Sequence, residues 1–458
     1  MKSVSELLVQ KAQSLKKQDI PATVRTRCED LLIDVAGLCV AARKRGYVHA
    51  VKKSLDAGGR CTAIGHAGRY RPEDAALLNG TAAHGEDFDD SFEGGPVHSG
   101  AVVVPAVLAA CEHFGRSGRD ALLGIATGVE ALCRLSLVAP KKIHKAGFHP
   151  TAVLGVMGST LGVSKTLGLN AKQTVNALGI AGSMAGGIIE YLAEGAWTKR
   201  LHAGWAAHSG IRAARLAWEG FTGPRTVFEG THGLFFAFAH DVNSQYEKLT
   251  KDFGNTWVMT DLTFKPYATG TMNQPYIDCA LRLRDCSLRL GERGFRAEDV
   301  AEVHCETAEG TVHRLWEPLA AKQRPPNDYA AKFSTPFNIA VAFVTGGAGF
   351  EAFTPRTVRD RRVLALASKV RYAIDPDNPY PRAYTGHVRM TLKDGRVFQE
   401  RQPHIRGGMH EPLPRGELEQ KFRANAAYGG WGKPRAERFL AFAREAFDGK
   451  MALSPFRG

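Results

Sequence analysis

Hydrophobic side chains in this sequence keep the spacing of an α-helix from Ser5 to about Asp261 and then lose it. Apolar residues recur three and four positions apart through Val24 to Val40, Asp74 to Ala83, Gly100 to His113, Asp120 to Ser136 and Ala206 to Glu219, the pattern of one buried helical face. Asn170, ahead of Ala171-Lys172-Gln173, predicts a capped helix start whose apolar face runs through Val175, Leu178 and Ile180. Glycine weakens a helix, so its recurrence in frames such as Thr151 to Thr160 points to helices that pack closely, or to backbone close to a ligand.

Beyond about Pro266 the pattern becomes mixed. Val300 to Thr307 alternates like a strand, Lys369 to Ala373 looks like a second, and His387–Leu392 and Arg396–Gln399 flank an Asp394-Gly395 turn, a hairpin signature. Phe333 to Val344 reads as a buried helix with Pro336 in its first turn, and Arg415 to Phe447 returns to helix. A chain of 458 residues exceeds one ordinary core. The expectation is a mainly α protein, with a large helical domain over 1–262 joined by C-terminal helices over 412–458, and a smaller α+β domain over 263–411.

Composition narrows the function. Hydrophobic residues at 44% and charged residues at 23% are those of a globular chain. Met1 to Leu8 lacks the apolar core of a signal peptide, and no run nears the roughly 18 uninterrupted apolar residues of a membrane helix, so the cytoplasm is the expected compartment. Eight cysteines without a Cys-x-x-Cys pair read as reduced, buried thiols rather than zinc or iron–sulfur ligands. The net charge of +14 admits a nucleic-acid binder, a surface that attracts small anions, or an idle basic surface. The clusters Arg43-Lys44-Arg45, Lys141-Lys142 and Arg359-Asp360-Arg361-Arg362 are short, scattered and free of interleaved aromatics, so no nucleic-acid partner is expected.

Three segments have the residues for chemistry. In His84 to Ser91 and on to His98, three aspartates stand within four positions. The spacing is not that of a calcium loop, which leaves helix capping, or proton handling by a carboxylate with His98. In Gly147-Phe148-His149-Pro150-Thr151 a histidine sits rigidly ahead of a helix start, as a structural residue or as an acid or base. Thr198-Lys199-Arg200-Leu201-His202 offers cations for a substrate carboxylate, or an ordinary solvated turn. The preceding Gly179 to Gly187 could turn backbone N–H groups to an anion, but it has neither the context of a dinucleotide loop nor a Walker sequence.

Asn79-Gly-Thr-Ala-Ala-His84, Asp87-Phe-Asp-Asp-Ser91, Gly147-Phe-His-Pro-Thr-Ala-Val153, Asn176-Ala-Leu-Gly-Ile-Ala-Gly182 and Thr198-Lys-Arg-Leu-His-Ala-Gly204 together resemble the MmgE/PrpD family, in order and over nearly the whole chain. That family includes 2-methylcitrate dehydratase, cis-aconitate decarboxylase and iminodisuccinate epimerase. The resemblance implies a homodimer and catalysis with no metal or organic cofactor. It matches Asp87, Ser91 and His98 to an Asp, Thr and His of the decarboxylase site, with one extra residue before the histidine, and it matches His149 and Lys199 as well. Two positions depart from it: no histidine stands near Ala268, and Phe337 replaces a tyrosine.

The chemistry so implied makes or breaks a C–H bond beside a carboxylate. Lys199 is expected to clamp the carboxylate, and His98 or His149 to act as base and acid. Asp87 is expected to orient a histidine and Ser91 to touch a substrate oxygen. Arg200, His202 and Lys265 are the expected substrate-binding residues, and Asp89 and Asp90 structural support. A hydro-lyase acting on a small citrate-like carboxylate is the leading expectation. An epimerase or isomerase, a decarboxylase, or a non-catalytic anion-binding protein are the others.

Overall fold

The computed structural model describes residues 1–56, 58–95 and 97–458. They form two compact units, one of Met1–Gly85, Asp89–Leu262 and Arg415–Gly458, the other of Glu86–Phe88 and Thr263–Pro414. The protein is mainly α, with helices filling the first unit and a smaller α+β arrangement in the second.

The helices of the first unit that position the site are α1 (Ala22–Ala42), α2 (Pro72–His84), α3 (Gly100–Phe114), α4 (Gly118–Val138), α5 (Pro150–Leu167), α6 (Ala171–Met184) and α7 (Thr198–Trp218). Asn170 and Ser117 cap α6 and α4 in reciprocal capping boxes. Helix α4 is long and apolar enough to cross a membrane, but 89% of its most apolar stretch is buried inside the protein, as suits a core helix. An antiparallel pair of two-residue strands, Cys61–Thr62 and Arg69–Tyr70, interrupts the helical region. So short a pair leaves no periodicity to detect.

Small residues let these helices approach closely. A Cβ added to Gly128 of α4 would lie 2.8 Å from the Gly158 carbonyl of α5, and one on Gly204 of α7 only 2.2 Å from the Leu77 carbonyl of α2. These distances are shorter than any van der Waals contact. The Gly80–Gly204 crossing brings the first turns of α7 against the last turn of α2. Helix α7 starts at Thr198, eight residues before the apolar periodicity begins at Ala206, because its first two turns bury Arg200 and His202 and leave Leu201 exposed.

In the second unit, β1 (Val300–Thr307), β2 (Val370–Ile374), β3 (Gly386–Leu392) and β4 (Val397–Gln402) form one sheet in the order β2-β1-β3-β4. β1 and β2 pair in parallel with Val303 opposite Val370, and β3 and β4 form the Asp394-Gly395 hairpin with Met390 opposite Phe398. Helix α8 (Gln274–Arg289) packs on β3 and β4 and on α9 (Thr335–Thr345), which has Pro336 in its first turn and Ser334 as its cap. The chain then returns to the first unit through α10 (Arg415–Tyr428) and α11 (Lys433–Glu445). There the buried Lys421 ammonium lies 2.7 Å from Asp34 of α1.

Candidate active site

Four buried histidines at helix ends meet in the helical unit. His84 ends α2, His98 precedes α3, His149 caps α5 and His202 opens the second turn of α7. Ring centroids are 4.8 Å apart for His84 and His98, 5.6 Å for His84 and His149, and 5.3 Å for His149 and His202. Tyr191 packs edge-on against the last two.

The acidic segment sets the first pair. Asp89 is fully buried, with Oδ2 2.7 Å from His84 Nδ1 and Oδ1 3.5 Å from His98 Nδ1. His98 Nδ1 also lies 2.7 Å from the Asp90 carbonyl, while the His98 backbone N–H donates to Thr151 Oγ1 at 3.2 Å. Carboxylate and carbonyl oxygens only accept, so both imidazoles donate from Nδ1. Nε2 is then the atom left for chemistry.

Asp90 has a different task. Its carboxylate accepts from Ser99 N, Ser99 Oγ and Gly100 N at 3.0–3.1 Å and caps α3. Capping and imidazole binding, alternatives in the sequence, thus fall on adjacent aspartates. Ahead of His98, Phe92 N–H donates to the Val97 carbonyl and Gly95 N–H to the Phe92 carbonyl. Pro96 of that segment lies outside the described residues.

The second pair is held by backbone and by itself. His149 precedes Pro150, which keeps it extended. Its N–H donates to the Gly187 carbonyl at 2.8 Å, and Ile189 N–H returns a bond to the Gly147 carbonyl. Gly187 has φ +121, and a Cβ there would lie 2.6 Å from Ala152, so only glycine fits. The glycine-rich segment therefore docks a carbonyl on His149. His149 and His202 face each other through Nδ1 at 3.1 Å, one donating and the other accepting.

Burial sets the charge states. It pushes the His149 pKa well below the ordinary histidine value, helped by repulsion from Lys199 and from His84, His202 and His98 in their protonated forms. Burial, with His84 and Lys199, pushes His202 down to about 4. Burial also lowers His84, against the pull of Asp89. For Asp89 burial alone would raise the pKa, but His98 and His84 together hold it well below the usual carboxylate range. Asp90 is pushed up to about 6 by burial and by the charge of Asp89. The half-buried Lys199, in the first turn of α7, thus adds positive charge beside His149 and His202, whose imidazoles burial keeps neutral.

Of the residues singled out from the sequence, His98, His149, Lys199 and His202 come together. Ser91 is buried at the start of a two-residue strand, and the Arg200 guanidinium lies over the Tyr47 ring at 4.4 Å. Asp87 and Lys265 belong to the second unit, where the Asp87 carbonyl accepts from the fully buried Lys265 Nζ at 3.0 Å. Lys332, which sequence reasoning missed, repeats that arrangement on the carbonyls of Glu86 and Ala268. Phe337 is fully buried and packs on Phe353, and Ala268 N–H donates to the Ala348 carbonyl.

His84 and Asp89 were also missed as site residues. The available signal was the five-residue return from the end of α2 to a second acidic position. His84, Asp89 and His98 each place a ligand atom within 4.8 Å of the others, close enough for a metal ion. Both Nδ1 atoms are already bonded to oxygen, so an ion bound through them would displace those hydrogen bonds.

Residues 6–247 match the MmgE/PrpD N-terminal domain and residues 267–444 the MmgE/PrpD C-terminal domain. The chain is 30% identical to a cis-aconitate decarboxylase of Homo sapiens, over 93% of this chain and 88% of the relative. It is 29% identical to a cis-aconitate decarboxylase of Mus musculus, over 93% and 87%, and 27% identical to one of Aspergillus terreus, over 91% and 87%.

Proposed function

This chain belongs to the MmgE/PrpD family, and from that premise we propose that it is a lyase breaking a bond beside a carboxylate of a small citrate-like di- or tricarboxylate. The observation that carries the reading is the buried histidine cluster with Lys199 at its edge. A substrate carboxylate pairs with the Lys199 ammonium. That charge also stabilises the enolate-like state formed when the neighbouring carbon loses its proton. His98 Nε2 or a ring nitrogen of His149 accepts the proton.

A hydro-lyase is the first reading. Elimination of water takes one proton from carbon and gives one to the departing hydroxyl, while the C–H electron pair becomes the double bond. Two imidazole pairs with separate anchors supply a base and an acid. The second reading, decarboxylation, is favoured by the names of the relatives. The test is ¹³C NMR of the protein with citrate, 2-methylcitrate and cis-aconitate in deuterated water. Deuterium at carbon with loss or gain of water supports the hydro-lyase, and release of labelled carbon dioxide supports the decarboxylase. No exchange and no turnover of any of them overturns both.

The partner we propose is a second copy of this chain. Trp197, Leu201 and Trp205 stand exposed on successive turns at the start of α7, preceded by exposed Ile188 and Leu192. Exposed apolar side chains on successive turns are what a self-association surface presents. Sedimentation should show a dimer, and Trp205→Glu should shift it to monomer.

A further inference from the structure

We propose that Asp89 is the positioning residue of this site, one carboxylate that acts on both imidazoles assigned to proton transfer: on His98 through its charge beside Nδ1, and on His149 through the ring of His84, which it holds by a hydrogen bond. The proposal rests on the lyase reading for its chemistry but on geometry for its mechanism. Asp89 Oδ2 holds His84 Nδ1 at 2.7 Å and Oδ1 lies 3.5 Å from His98 Nδ1. The His84 ring in turn lies stacked against His149, 22° from parallel at 5.6 Å.

Three further observations separate this role from an ordinary buried acid. Asp90 already caps α3, so Asp89 is not needed there. Oδ1 of Asp89 and Nε2 of His84 are buried without a hydrogen-bond partner among the described residues, an arrangement costly to keep for folding alone. The Asp89 side chain has no solvent exposure, so its charge is compensated by the His84 N–H it orders and by the nearby N–H of His98.

The Asp89 carboxylate accepts from His84 Nδ1 and sets its other oxygen, also negative, 3.5 Å from the His98 Nδ1–H that donates to the Asp90 carbonyl. An amide has one acceptor oxygen, and its NH₂ would face the other donor. In Asp89→Asn one histidine must therefore turn or exchange its ring proton. The readout independent of any substrate is ¹⁵N NMR of the histidine rings in the full-length protein. Wild type should show His84 and His98 protonated at Nδ1, and Asp89→Asn should shift at least one of them while far-UV circular dichroism stays unchanged.

With whichever polycarboxylate the wild type turns over, kcat should fall about 100-fold with KM nearly constant. Asp89→Asn added to His98→Gln should cost less than it does alone. Unchanged ring-nitrogen spectra, or full additivity in that cycle, would overturn the proposal. Should Asp89→Asn not fold, His84→Phe keeps the stacked ring and removes the bond to Asp89. The same shift at His98 or His149 is then expected, and its absence counts against the role. If no polycarboxylate is turned over, the lyase reading fails while the ring spectra still decide the positioning.

Discussion

The two histidine pairs are built on different anchors. His84 and His98 are tied to oxygen, through the Asp89 carboxylate and the Asp90 carbonyl, whereas His149 and His202 are tied to each other. An oxygen anchor fixes which ring nitrogen carries the proton. A nitrogen anchor leaves the proton free to sit on either ring, so long as both are not charged. The first pair is therefore suited to present one defined lone pair, and the second to pass a proton along. Burial keeps the second pair neutral, and the nearby Lys199 adds to that.

Removing the defined lone pair should have the largest effect. His98→Gln should lower kcat about 10³-fold, within the range for loss of a general base. Steady-state kinetics checks this, and a loss below tenfold would break the division of roles. Lys199→Met should cost about 10²-fold in kcat/KM, the scale of one charge-assisted bond. It should also raise the pKa of His149, since Lys199 is one of the charges holding it down, and ring titration by NMR reads that shift.

Gly204→Val tests the crossing that brings α7, with His202, against α2, with His84. Its side chain would meet the Leu77 carbonyl and Thr81, and a loss of about 2 kcal/mol in urea unfolding is expected. The smallest effect is one of pH. Folding depresses His202 from 6.5 to about 4, so the unfolded chain takes up that proton first. The stability tied to it is complete above about pH 6.5 and is lost as pH falls toward 4. His202→Asn should therefore lose about 1–2 kcal/mol less than wild type between pH 7 and pH 5 in urea melts. An equal loss in both proteins would show that His202 is not held neutral.

Much of the architecture can be read from local pattern. The periodic stretches 24–40, 74–83, 100–113 and 120–136 are α1 to α4, Asn170 caps α6, and Asp394-Gly395 turns the hairpin. The start of α7 escaped, because its first turns bury Arg200 and His202 and turn Leu201 and Trp205 outward, the reverse of an ordinary core-facing helix. In the site, His98, His149, Lys199 and His202 stood out by residue type and motif. The neighbouring aspartates did not sort themselves: Asp87 lies with the second unit, Asp89 on two imidazoles and Asp90 on a helix end. Three acids within four residues look alike in sequence, and only the backbone turn, with Asp87 at φ 54, sends them to different partners.

The acidic stretch from Asp87 to His98 therefore divides what each level decides. The sequence by itself determined the helices, the hairpin and the family, since periodicity, capping and motif order are properties of neighbouring residues. Tertiary structure alone decided which ring nitrogens of His84 and His98 carry protons, which aspartate is the anchor and that Lys265 and Lys332 are buried on carbonyls. Those outcomes depend on burial and on hydrogen-bond partners as much as 246 residues apart, and no local pattern encodes them.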